Sequence, residues 1–390
     1  MKILVLTHEF PPIGGGGGRV AQDLASGLAQ RGHQVHVLTA RLEGLPDQES
    51  VDGVHIQRIA PMRREAFRAK FTDMARYDWS ALMHGLKIIR AWQPDVIHAH
   101  FAVPAGAAAL ILSKLTGVPY LLTTHLGDVP DALPEKTGQW FKWIYPFTPP
   151  IWRGAAKVVA VSEFTRQLAL KHYQVPIDVV LNGMDLKTLP ARDPTQGTAP
   201  HIVFAGRFME QKNPQHLVDA LKQIQHLQWS CSMLGDGPLL EAVRETAGAD
   251  GLAARITFPG WVTPEDVART FAQSDILVLP SRSEGLSVVG VQALGMGLAM
   301  VLSNAGGNPE LVRDGENGFL FPTGNVERLA LSLAKLLENP SMLQSAQTKS
   351  RELAQKFDLE SIVEQYEALF TEVISNRKSK IGKNVPIQRA

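Results

Sequence analysis

The sequence predicts an α/β protein of two Rossmann-like domains with parallel sheets, and three observations carry that prediction. Its 390 residues exceed the roughly 250–300 at which a single core stops growing. Short apolar runs alternate with helical-period segments along the chain, the pattern of βα units on a parallel sheet. The alternation also starts twice in the same way, at Lys2–Thr7 and at His201–Ala205, on either side of a turn-rich stretch from Lys187 to Pro200. The expected division is a first domain over residues 1–186, a linker over 187–200 and a second domain over 201–376, whose last helix is free to pack back on the first domain. A basic tail over 377–390 is expected to be disordered.

Composition narrows the function classes. Forty-five per cent hydrophobic and twenty per cent charged residues are ordinary for a soluble globular chain. A net charge of +1 gives no global attraction to nucleic acid. The single cysteine, Cys231, excludes an intramolecular disulfide and suits a reducing compartment, where it packs as a small apolar residue. No apolar run reaches the ~18 residues of a membrane span, and the chain opens on a strand rather than a signal peptide. The expectation is a cytoplasmic protein, in contact at most with the inner face of the membrane.

In order along the chain, Lys2–Thr7 reads as a buried strand, followed by Pro11-Pro12-Ile13, five glycines at Gly14–Gly18, and an amphipathic helix from Val20 to Gln30. Five glycines are unfavourable in backbone entropy, so they imply either a phosphate-cradling loop ahead of a helix or a flexible linker. Their place between strand and helix favours the first. The run does not match the spaced Gly-x-Gly-x-x-Gly pattern, which argues against a hydride-transfer enzyme. Strands at Pro94–His100 and Pro119–Thr124 put His98, His100 and His125 at carboxyl ends, where open α/β sheets bind ligands. His125 is the best functional candidate, because polar neighbours and Gly127 crowd its strand end; for each of the three, a satisfied structural histidine is the plain alternative. No Cys or carboxylate has metal-ligand spacing to them.

Two stretches of the first domain depart from neutrality. From Arg58 to Arg90 there are eight Lys/Arg against three acids, and Trp140–Phe147 is aromatic with one lysine. Basic residues with interfacial aromatics suit docking on anionic lipid. The alternative is a solvated helical face for the first stretch and packing beneath an acceptor site for the second.

The second domain repeats the scheme with different loops. After strand His201–Ala205 the loop Gly206–Asn213 carries Arg207 and Lys212, two cations able to neutralise a diphosphate. After strand Asp275–Leu279 come Pro280-Ser281, Glu284-Gly285 and a helical run from Leu286 to Leu294. Unpartnered amides at such a helix start suit a phosphate, and Gly285 permits close approach. Glu284 beside an anion site is better explained by sugar hydroxyls than by the phosphate itself; a solvated loop glutamate is the plain alternative.

Gly206-Arg207 with Lys212-Asn213, Gly235–Pro238, Pro280-Ser281 with Glu284–Leu286, and Gly306–Glu310 resemble the retaining family 4 glycosyltransferases of GT-B fold. Phe10–Pro12 with Gly15-Gly16, His125–Asp128, Val161–Glu163 and Asn182–Asp185 extend the resemblance over nearly the whole chain. It implies two Rossmann-like domains facing a cleft, the first on the acceptor side and the second holding a nucleotide-sugar. It also implies transfer of a hexosyl unit, from a UDP- or GDP-sugar, to a glycan, glycolipid or sugar acceptor, lipid-linked saccharides included, with no metal or other cofactor. On the same resemblance Arg207 and Lys212 hold the donor diphosphate. Leu286, Ser287 and Val288, with Gly15, Gly16, Gly235 and Gly285, complete the donor contacts. Glu284 binds donor-sugar hydroxyls, His125 contacts the sugar, and the departing phosphate oxygen takes the acceptor proton. The chain departs from the family pattern at Gln292, where a second glutamate accepts from the nucleotide ribose. A glutamine keeps one acceptor and loses the charge. That substitution leaves two alternatives: a non-catalytic nucleotide-sugar or glycan binder, and a sugar-nucleotide epimerase on the same fold.

Overall fold

Parallel strands rich in Ile, Val and Leu need cover on both faces, and the chain supplies it with helices between successive strands. A computed structural model describes residues 1–63, 71–132, 143–192 and 199–383. The chain packs as two units: Met1–Gly183 completed by the segment from Leu359 onward, and Met184–Asp358.

Among the described residues the first unit holds an eight-stranded sheet in the order β3-β4-β2-β1-β5-β6-β7-β8. Its strands are β1 (Lys2–Leu6), β2 (Gln34–Leu42), β3 (Gln48–Val51), β4 (Val54–Arg63), β5 (Val96–His100), β6 (Tyr120–Thr124), β7 (Lys157–Ala160) and β8 (Asp178–Val179). All pairings are parallel except β3 with β4, an antiparallel hairpin turning at Asp52-Gly53, where both residues take positive φ. Helices α2 (Phe71–Trp92), α3 (Ala107–Thr116), α4 (Pro149–Gly154) and α5 (Glu163–Leu170) cover one face, through Tyr77, Ala81, Leu112, Trp152 and Ala169. Helix α1 (Gly16–Gln30) and α12 (Leu359–Lys383) cover the other, where Leu24 and Leu28 meet the same core as Tyr366 and Phe370.

The second unit has a six-stranded parallel sheet among the described residues, in the order β11-β10-β9-β12-β13-β14. The strands are β9 (His201–Ala205), β10 (Ser230–Leu234), β11 (Ile256–Gly260), β12 (Ile276–Leu279), β13 (Ala299–Ser303) and β14 (Gly318–Phe321). Its helices are α6 (Gln215–Gln223), α7 (Leu240–Ala249), α8 (Pro264–Ala272), α9 (Val288–Gly295), α10 (Val326–Leu337) and α11 (Pro340–Ala354). Cys231 is buried in this core, and burial raises its thiol pKa well above the usual range.

Several expectations change. Helix α1 begins inside the glycine run, not after it. The basic stretch is not one solvated face: Arg58 and Arg63 lie on β4 and are 3% and 4% exposed, Arg58 donating to the Pro46 carbonyl at 3.1 Å. Arg64, Arg68 and Lys70 of that stretch, and Trp140, Phe141 and Lys142 of the aromatic one, lie outside the described residues. Of the segment 377–390, expected as a disordered tail, residues 377–383 continue α12 to Lys383, and 384–390 lie outside the described residues. Around the expected linker, Leu186 and Leu189 pack against Gly295 and Arg192 pairs with Asp275, all within the second unit; residues 193–198 lie outside the described set.

Candidate active site

Strands β9 and β12 are neighbours and parallel, so the loops at their carboxyl ends are adjacent. Three bonds latch them together: Arg282 N–H to the Gln211 carbonyl at 2.7 Å, Gln211 Nε2 to the Ser283 carbonyl at 3.0 Å, and Asn213 Nδ2 to the Pro280 carbonyl at 3.4 Å. Asn213 holds a φ of 52° and is buried, a conformation asparagine tolerates better than most residues. Within this latch Lys212 Nζ donates to Glu284 Oε1 at 2.5 Å, and Ser281 Oγ donates to the same oxygen at 2.7 Å. Glu284 is only 5% exposed, so its charge is held by the lysine and the hydroxyl rather than by water. Both bonds fall on Oε1, and Oε2 keeps its capacity to accept from a ligand hydroxyl.

Two glycine turns set the height of these loops. A Cβ on Gly306 would lie 1.8 Å from the Glu284 carbonyl oxygen, and one on Gly307 1.8 Å from that of Gly285. A Cβ on Gly235 would lie 1.9 Å from the Gly206 carbonyl oxygen, so this glycine seats the loop that carries Arg207. Gly306→Ala is therefore expected to displace Glu284 and destabilise the second unit by about 2–4 kcal/mol. A drop in melting temperature together with lost turnover would show it; an unchanged melting point would mean that the loops do not depend on this contact.

Helix α9 starts directly behind Glu284-Gly285. Ser287 caps it, accepting from Gly290 N–H at 3.2 Å, and the geometry of a first turn leaves Val288 and Val289 amides without intrahelical acceptors. Arg207 is half-buried in the β9 loop, and Gln292 is half-buried on α9. The structure thus gathers Lys212, Ser281, Glu284, Gly285 and the α9 start on the second unit, with Arg207 on the same loop as Lys212.

His125 belongs to the first unit, at the end of β6. Its backbone N–H donates to Asp128 Oδ2 at 2.8 Å, and Asp128 Oδ1 accepts from Ala102 N–H, also at 2.8 Å. Burial lowers the His125 pKa to about 4, so its imidazole is neutral at pH 7 and acts as a hydrogen-bonding group rather than a cation. His125 Nε2 shares a hydrogen bond with His100 Nδ1 at 3.4 Å, and Nδ1 would be 3.4 Å from a Cβ on Gly17. The glycine run is the N-terminus of α1, with Gly15 at the cap, no side-chain cap and no acid in the first turn. Gly15 N–H donates to Glu9 Oε2 at 3.3 Å. His98 is buried instead in a structural chain, Nε2 to Thr123 Oγ1 at 2.8 Å and Thr123 to Tyr366 OH at 3.1 Å. Sequence reading missed the parts played by Asp128, Phe101 and Ser281. Asp128 was legible, since an acid three residues after a strand-end residue is the spacing of a reciprocal capping bond. Phe101, at a φ of 74° with its ring 4.4 Å from that of His125, carries no sequence signal. Among the described residues no three His, Cys, Asp or Glu side chains are grouped as metal ligands.

The fold matches that of solved proteins over nearly the whole chain. Sucrose-phosphate synthase from Thermosynechococcus elongatus superposes with a TM-score of 0.85 at 21% identity, covering 96% of this chain and 99% of that one. The Anabaena protein HepE, crystallised with UDP-glucose, gives 0.74 at 21% identity over 96% and 100%. These likenesses define the architecture as GT-B. Two family models match in succession, Glycosyltransferase Family 4 over residues 14–188 and Glycosyl transferases group 1 over residues 187–353. An uncharacterized glycosyltransferase of Methanocaldococcus jannaschii is 26% identical over 363 residues, 93% of this chain and 96% of that protein. The chain belongs to glycosyltransferase family 4, a family of retaining transferases that use nucleotide-sugar donors.

Proposed function

We propose that the protein transfers a hexosyl unit from a UDP- or GDP-sugar to a saccharide acceptor, free or lipid-linked, with retention at the anomeric carbon. The observation that carries this reading is the Lys212–Glu284–Ser281 cluster at adjacent strand ends beside the start of α9. Lys212 and Arg207 neutralise the diphosphate as the bond to the anomeric carbon breaks, and the amides that open α9, with Gly15 and Gly16 of α1, add phosphate contacts. Glu284 accepts from donor-sugar hydroxyls and so orients the anomeric carbon. His125, neutral, hydrogen-bonds the sugar. The acceptor oxygen bonds to the anomeric carbon and its proton passes to the departing phosphate oxygen, so the exchange balances without a metal. UDP stands first because HepE is solved with UDP-glucose.

Gln292 sets a second expectation. If it faces the ribose, Gln292→Glu restores a charge-assisted bond, and donor affinity rises about tenfold. The test is thermal stabilisation against UDP-, GDP-, ADP- and dTDP-sugars, followed by assay of released nucleotide. One nucleotide-sugar should raise the melting point, since ligand at about 100 times its Kd stabilises by about 2.7 kcal/mol. Binding by none of them would overturn the transferase reading and favour a non-catalytic glycan binder.

A further inference from the structure

Among the described residues, the exposed charges on the α2–α4 layer are of one sign. Helix α2 exposes a stripe at helical spacing, Arg76, Trp79, Met83, Lys87 and Arg90, with Trp79 69% and Met83 46% exposed. Helix α3 packs on α2 where Leu112 meets Gly85, and exposes Ile111, Lys114 and Leu115. Among the described residues of α2, α3 and α4, every fully exposed ionisable side chain is Lys or Arg. The two acids there, Asp73 and Asp78, are partly buried, and burial raises the Asp78 pKa to about 8. Ala60, Ala75, Trp79 and Met83 line an open, mainly apolar groove on the same face. This concentration stands out in a chain whose net charge is only +1. It does not fit a pair of identical copies, because a two-fold contact would set cation against cation.

We propose that this face docks on an anionic lipid surface, with Trp79, Met83, Ile111 and Leu115 entering the headgroup boundary and the Lys and Arg side chains meeting the headgroups. No helix among the described residues is long and apolar enough to cross a membrane, so the contact is peripheral. The inference goes beyond the transfer reaction and does not depend on it.

The test is co-sedimentation of the full chain with vesicles of phosphatidylcholine alone and of phosphatidylcholine with about a third phosphatidylglycerol, at low and raised salt. The chain should pellet only with the anionic vesicles and release as salt rises. The paired variants Trp79→Ser/Met83→Ser and Lys87→Glu/Arg90→Glu should each lose at least about tenfold in partitioning while keeping the parent melting point. Absence from the anionic pellet, equal pelleting on neutral vesicles, or insensitivity to both pairs overturns the inference. So does a dimer that the Trp79→Ser/Met83→Ser pair dissolves. Nucleotide release measured in the same samples separates the two readings: intact release without pelleting sinks docking alone.

Discussion

Exchanging Lys212 for alanine is expected to slow nucleotide release from the donor by at least about a hundredfold, and to lower the melting point of the second unit as well. The second effect follows from geometry. Lys212 is the cation on a carboxylate that is 5% exposed, and removing it leaves Glu284 with Ser281 as its remaining donor among the described bonds. Truncating one partner of a buried pair strands the other, at about 2–4 kcal/mol. Glu284→Gln should behave differently. Its amide oxygen still accepts from Ser281, and the released ammonium, its side chain 19% exposed, can recruit water. That variant should lose most turnover with a smaller fall in melting point. If Lys212→Ala melts lower yet releases nucleotide at the parent rate, the pair only holds two loops together and the diphosphate assignment fails.

Acidification from pH 6.5 toward pH 4 is expected to unfold the first unit before the second. Burial lowers the pKa of His98 to about 3 and of His36 and His125 to about 4, and it lowers His8 and His100 too. A group whose folded pKa lies below its unfolded value binds its proton only on unfolding, so its stabilising contribution is present above about pH 6.5 and is lost as pH falls. Asp128 and Asp78, raised by burial to about 7 and about 8, work in the opposite sense, gaining stability as pH falls toward 4. With five imidazoles lowered against two carboxyls raised, the unfolded unit takes up more protons than the folded one over this range, so its stability falls as pH drops. The second unit has His201 and His216 lowered, both partly exposed, so its slope is shallower. Calorimetry between pH 7.5 and pH 4.5 should resolve two transitions that separate on acidification, with the slope of the first reduced in His98→Phe. A single transition independent of pH over that range would refute the assignment.

The strands of the second unit were legible because each is a short apolar run closed by Gly or a polar turn, and the sheet order needs little more than the parallel rule. The hairpin of β3 and β4 was legible only in its turn: Asp52-Gly53 is a strong signal, but Gln48–Val51 is mostly polar and exposed, so no apolar alternation marks it. Helix α2 was legible only as a solvated helical face, since its exposed Trp79 and Met83 blur the apolar stripe that buries Tyr77, Ala81 and Ile89. The start of α1 was misplaced because glycine is the poorest helix former after proline. Gly16–Gly18 are helical all the same; a side chain at Gly17 would strike Phe101, and one at Gly18 would crowd the Ile13 carbonyl at 3.1 Å. At the candidate site, residue types were readable one by one and their pairing was not. Lys212 and Glu284 are 72 positions apart, and only the adjacency of β9 and β12 makes them one ion pair.

The return of the chain through α12 bears on how the protein is made. The sheet face formed by Ile3, Val5, Val37 and Leu121 is sealed by Tyr366, Phe370 and Val373, which are the last of its core residues to be translated. Residues 184–358 are contiguous, so that unit can fold as soon as it leaves the ribosome. The unit translated first has only α1 over this sheet face until the whole of the other has been synthesised. Until then the part of the face that α12 will cover is apolar surface the nascent chain offers to a chaperone.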